Sequence, residues 1–95
     1  MTVSFHELAN KELEQAVEFY EGELQGLGIE FASEIEKAVN LILVYPNSWG
    51  KFGKNRRILT NRFPYAVVYK YENTHITILA VMHLKRKPNY FSGRK

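Results

Sequence analysis

Apolar and polar positions change their period several times along this chain, and each change marks an element. In "TVSF", Thr2 to Phe5, they alternate, with Val3 and Phe5 on one side, which predicts a short strand. From Leu13 the period lengthens. Leu13, Ala16, Val17, Tyr20 and Leu24 recur at three and four, the stripe of an amphipathic helix. Asn10 is the expected N-cap, with Glu12 and Glu14 in the first turn, where the positive end of the helix dipole favours carboxylates. "GLG", Gly26 to Gly28, is expected to stop this helix. A second stripe, Phe31, Ile35, Ala38, Val39, Ile42 and Leu43, predicts another helix, closed by Pro46. A link of two or three residues makes the pair an antiparallel hairpin.

"NSWGKFGKN", Asn47 to Asn55, reads as a Gly-rich loop plugged by Trp49. It lacks the glycine spacing and the Lys-Ser/Thr pair of a phosphate-binding P-loop. Beyond it the period is two. "RRILT" is one strand. In "RFPYAVVYKY", Phe63, Tyr65, Val67 and Tyr69 share one face, and Ala66, Val68 and Lys70 the other. Pro64 has no backbone donor and should open its strand or sit at its edge. "YENTH" offers Asn73 and Thr74 to a hairpin turn. "HITILAVMH" has almost no polar position and should run through the middle of the sheet. The reading is a single α+β domain over residues 1–95: an N-terminal strand and a helical hairpin packed on a mainly antiparallel sheet of about four strands.

Bulk numbers narrow the class. A chain of 95 residues with 45% hydrophobic residues builds one core. There is no cysteine, so no disulfide framework or thiolate zinc site is expected, which fits a reducing cytoplasm. No apolar run approaches the ~18 residues of a bilayer span, and the N-terminus has no signal-peptide pattern. Charge is strongly divided. Residues 1–45 carry nine Glu against Lys11 and Lys37, a net of −7; residues 46–95 carry eleven Lys and Arg against Glu72, a net of +10. The basic half either presents a positive field to phosphates or acidic protein, or is cancelled by the acidic half folding onto it.

Candidate chemistry gathers near the end, in "HLKRKPNYF", His83 to Phe91. His83 closes the most apolar strand, so the cations after it stand on a rigid base. Lys85, Arg86, Lys87 and Arg94, with Arg57, are the expected phosphate- or target-binding set, and Tyr90 offers a stacking ring. Against this stand plainer readings: His83 bonding backbone at a strand end, Arg86 and Arg94 as solvated surface, Tyr90 packed on the sheet edge, and His6 as structural. His6, His75 and His83 have no ligand-like spacing, so neither metal nor other cofactor is expected.

The "RFPY" segment and the ending Val81-x-His83-x-x-Arg86-x-Pro88-x-Tyr90, in this order behind two helices, resemble the RelE/ParE superfamily of toxins from bacterial type II toxin–antitoxin (plasmid stabilisation) modules. The resemblance spans nearly the whole chain. It implies a growth-inhibiting toxin held inactive in a hetero-oligomer with a cognate antitoxin. In the RelE branch the target is mRNA on the ribosome, which is cut; in the ParE branch it is DNA gyrase, with no chemistry of the toxin's own. The ending is closer to the ParE-like members. By resemblance Tyr90 falls where the RelE branch has its late tyrosine, Arg86 near a late basic position and Arg62 near the mid-sheet arginine. Leu84 stands where another late arginine would be.

Two mechanisms and a plainer option follow. As a ribonuclease the chain would drive attack of a 2′-OH on phosphorus, with Arg62 and Arg86 clamping the phosphate and His83 or Tyr90 moving protons. Tyr90 would then need its pKa, ordinarily about 10, lowered by Lys85 and Arg86. Glu72, the only acid after residue 46, offers no carboxylate partner. As a gyrase poison the chain needs only a binding surface. As a non-toxic relative it would simply bind nucleic acid or protein.

Overall fold

The computed structural model describes residues 1–94. The elements are β1 (Thr2–Phe5), α1 (Glu7–Glu23), α2 (Leu27–Val44), β2 (Gly50–Phe52), β3 (Asn55–Leu59), β4 (Tyr65–Glu72) and β5 (His75–His83). One sheet runs in the order β1-β5-β4-β3-β2. β1 lies parallel to β5, and the other pairs are antiparallel. The α+β reading holds, with five strands against the expected four or so. The addition is β2, cut from the Gly-rich loop: Gly53 adopts φ +63°, and the chain folds back so that Phe52 pairs with Asn55.

Helix α1 begins earlier than its sequence signals. Its N-cap is His6, whose Nδ1 accepts the Leu8 N–H at 3.1 Å while the His6 N–H donates to the Ile78 carbonyl at 2.8 Å. Pairing of β1 with β5 fixes where the chain leaves the sheet, so Asn10 falls inside the helix and Glu7, not Glu12 or Glu14, occupies its first turn. Between the helices Gly26 takes φ +88°. Gly28 belongs to α2, not to the stop, because it is the contact between helices: a Cβ there would lie 2.5 Å from the Val17 carbonyl. Glu21 fastens the corner, accepting the N–H groups of Gly26 and Gly28 at 2.9 and 3.0 Å.

The stripes bury as the periodicity predicts, except that Leu24 is exposed beyond the end of α1. Phe31, Ile35, Ala38 and Ile42 of α2 meet Val67, Tyr69, Ile76, Ile78 and Val81 on one sheet face. Tyr20, Phe31, Phe63 and Tyr65 form an aromatic cluster there, with centroids 4.8–6.3 Å apart. Burying each such side chain contributes about 1.5–3 kcal/mol. Tyr69 donates to the Pro46 carbonyl at 2.6 Å and Trp49 to that of Leu41 at 3.2 Å, tying the loop after α2 to the core.

The other face carries Ala66, Val68, Leu79, Ala80 and Met82. No helix covers it. Phe91, 4% exposed, lies over it instead, stacked on Phe52 at 5.8 Å. The C-terminal segment is therefore part of the fold. A bulge at Leu79, where Val68 pairs with Ala80 but Tyr69 with Ile78, turns Leu79 and Ala80 to the same face. Pro64 immediately precedes β4, and Asn73 and Thr74, at φ +51° and +60°, make the β4–β5 turn.

Candidate functional site

β1 covers only the first half of β5, from His75 to Ile78. Beyond that, one edge of β5 has no strand beside it among the described residues. The Leu84 N–H donates to the Pro64 carbonyl, so by alternation Val81 and His83 turn their backbone groups to this open edge. An unpaired edge needs partners or water. Side chains supply some of them. Glu12 accepts the Val81 N–H at 3.0 Å, and Arg94 donates to the Leu79 carbonyl at 2.9 Å.

Glu12 is the centre of the arrangement. Arg94 meets its carboxylate through two bonds, 2.9 and 3.1 Å, with both side chains largely buried. The Tyr90 hydroxyl donates to the same carboxylate at 2.6 Å. A carboxylate accepting four hydrogen bonds, two of them from one guanidinium, is a strong internal anchor. It corrects the expectation that no carboxylate is available to this site: one arrives from α1. It also commits the Arg94 guanidinium to the interior, so Arg94 offers little to a ligand.

Tyr90 differs from the expected base. Burial raises its pKa, and the hydrogen bond to Glu12 and that carboxylate's charge raise it further; Arg94 and Arg86 pull the other way and lose. Its phenol is held protonated as a donor. The Arg86 guanidinium lies 4.0 Å from the Tyr90 ring centroid and that of Arg94 at 5.1 Å.

His83 closes β5 opposite Tyr65, ring edge against ring at 5.1 Å. Its Nδ1 accepts the Lys85 N–H at 3.1 Å and its carbonyl the Arg86 N–H at 3.0 Å, so the ring shapes the turn that follows. Both the plain reading of a strand-end histidine and the placement beside Arg86 and Tyr90 are realised. A cleft of about 170 Å³ opens between α1 and β5, lined by Glu12, Phe19, Tyr65, Val81, His83 and Tyr90 among others. Burial raises the pKa of Tyr65, with smaller contributions from Tyr20 and Glu12.

The remaining candidates separate. Lys85, Arg86 and Lys87 are exposed, and none pairs with a carboxylate among the described residues. Arg57 lies on β3 with its guanidinium 4.3 Å from the Phe52 ring. Arg62 is not on a strand, as the sequence suggested, but in the β3–β4 turn at φ +70°, bonded to Glu30 of α2 at 2.6 Å. It does not form the expected clamp with Arg86. The acidic half cancels little of the basic half: Glu12 and Glu30 reach across to Arg94 and Arg62, while Glu7 and Glu34 pair within their own helices.

Glu12 is the residue that sequence reasoning passed over. Its signal was present: it falls three after Ala9 and four before Ala16, both buried, and so shares the buried face of α1.

The sequence matches, over residues 3–88, the profile of the family described as the ParE toxin of the type II toxin–antitoxin system parDE. No curated protein matches it. Among solved structures, the chromosomal ParDE toxin–antitoxin system from P. aeruginosa superposes with a TM-score of 0.76 at 18% identity, over 90% of this chain and 97% of that one. That match is one of fold.

Proposed function

The chain belongs to the ParE toxin family of type II toxin–antitoxin systems, and we propose that it arrests growth by binding DNA gyrase and is neutralised by a cognate antitoxin. The observation that carries this reading is the state of Tyr90. A phenol buried against Glu12, its pKa raised, is a poor general base. What the site offers is a binding surface: Lys85, Arg86 and Lys87 exposed on a turn, held by the anchored segment around Tyr90 and Phe91. Such a surface steers and orients an acidic or phosphate-bearing target without chemistry of its own. An endonuclease of the RelE kind would have to run through His83, with Tyr90 locked and Arg62 engaged elsewhere.

The antitoxin reading rests on exposed apolar side chains and on the open edge. Phe19 is 60% exposed beside the α1–β5 cleft, and Leu24, Ile29 and Val44 are more than 60% exposed on the helical hairpin. A segment folding on binding would cover such surface at an ordering cost of about 2–5 kcal/mol.

The deciding experiment is induction of the chain in bacteria with and without the neighbouring reading frame. The expected result is arrest with filamentation and a DNA-damage response, relieved by co-expression, with transcripts intact. Cleaved transcripts would replace gyrase with the ribosome. Normal growth of cells holding folded chain would leave only the non-toxic relative.

A further inference from the structure

A second cleft, larger than the one beside Tyr90, lies elsewhere on the molecule. It opens at the opposite end of the sheet, with a volume of about 620 Å³. The β2–β3 hairpin forms one wall, the Tyr69–Glu72 end of β4 another, and Phe91, Ser92 and Arg94 close it. None of the residues expected from the sequence to bind a target lies here except Arg94, whose charge is already met by Glu12.

The lining is cationic. Lys51, Lys54, Arg56 and Lys70 contribute four positive charges, and Glu72 is the one carboxylate. Glu72 pairs with Lys70 at 3.4 Å. That leaves Lys51, Lys54 and Arg56 without a carboxylate partner among the described residues. Arg56 is fixed by donation from Nη1 to the Trp49 carbonyl at 2.8 Å, which leaves its other N–H groups for a ligand. Asn47 and Asn55 add side-chain amides. Like charges held together by one hairpin repel, and an anion spanning them removes that cost.

The chemistry of the lining chooses among anions. An acidic peptide is held largely by apolar anchors, with its charges at the rim. Of the apolar residues that reach this cleft, Leu79, Tyr69 and Phe91 are buried at 4% exposure or less and Tyr71 is half-buried. Several cations and amides with few open apolar surfaces suit a repeating phosphodiester. We propose that this cleft binds the phosphate backbone of a nucleic-acid strand, through Lys51, Lys54 and Arg56, independently of base sequence. The proposal goes beyond the gyrase reading and does not depend on it.

The test is fluorescence anisotropy of the purified chain with a labelled duplex of about 20 base pairs over a series of salt concentrations. Wild type should bind, with affinity falling steeply as salt rises. Lys51→Ser combined with Lys54→Ser should weaken binding roughly tenfold at low salt and reduce the slope of log K against log salt by about two. Lys51→Arg with Lys54→Arg should restore both. Lys85→Ser with Lys87→Ser should cost clearly less. Equal thermal midpoints keep folding out of the comparison. The proposal falls if wild type does not bind, if the Lys51/Lys54 variant keeps wild-type affinity and slope, if the Lys85/Lys87 variant loses as much, or if polyglutamate of matched charge binds as tightly as the duplex.

Discussion

Glu12 and Tyr90 are 78 residues apart in the chain and 2.6 Å apart in the fold. Through that bond, and the two from Arg94, helix α1 holds the C-terminal segment against β5. Glu12→Gln should therefore destabilise the chain by about 2–4 kcal/mol, because the Arg94 charge stays largely buried without its partner. Arg94→Gln should cost a similar amount. The double variant should cost less than the sum, with a coupling of at least about 1 kcal/mol. Urea denaturation of the three variants gives the cycle; additive costs would mean that the pair is not coupled.

The raised pKa of Tyr90 sets a pH dependence. The native state holds the phenolic proton more tightly than the unfolded chain does. Its stabilisation is thus complete below the ordinary phenol pKa and lost as pH rises above it toward the raised value. The stability difference between wild type and Tyr90→Phe should be flat through neutral pH and narrow only above about pH 10. Denaturation midpoints of both chains across that range measure it. A difference that already grows as pH rises between about 6 and 8 would mean a depressed phenol, as a base requires.

Gly28→Ala tests the helical hairpin. The added methyl would meet the Val17 carbonyl, a backbone atom that cannot turn aside. The helices must separate, at about 1–3 kcal/mol. Thermal unfolding should show a clear drop in midpoint, while Gly22→Ala, with open space around it, should hold or raise it.

Arg86→Ala should abolish growth arrest and leave the fold within about 1 kcal/mol of wild type, the worth of an exposed contact between its guanidinium and the Tyr90 ring. Tyr90→Phe should do the reverse. It keeps the ring but loses the bond to Glu12, costing about 1–2 kcal/mol, and should still arrest growth. Growth arrest that survives Arg86→Ala in a folded chain, yet disappears with the hydroxyl alone, would point to chemistry at Tyr90.

Much of the fold follows from sequence because its causes are local or periodic. The stripe from Phe31 to Ile42 faces the core, the two faces of β4 separate as the alternation of Phe63 to Lys70 requires, and Asn73 and Thr74 turn the β4–β5 hairpin. In the ending from His83 to Phe91 the exposed cations Lys85, Arg86 and Lys87 were legible, but the aromatics meant for the same surface turn inward, Phe91 over the sheet and Tyr90 to Glu12. What sequence left undecided depended on which strands meet. The start of α1 was set by the parallel pairing of β1 with β5, which makes His6 the cap. Arg62 was drawn into a turn and to Glu30. The protonation of Tyr90 was decided by its burial and by Glu12, a glutamate that reads as helix surface until β5 leaves its edge open there. Periodicity tells which way a side chain faces, because its own backbone sets that direction. Which charge it meets is set by a segment tens of residues away, and only the packed sheet brings the two together.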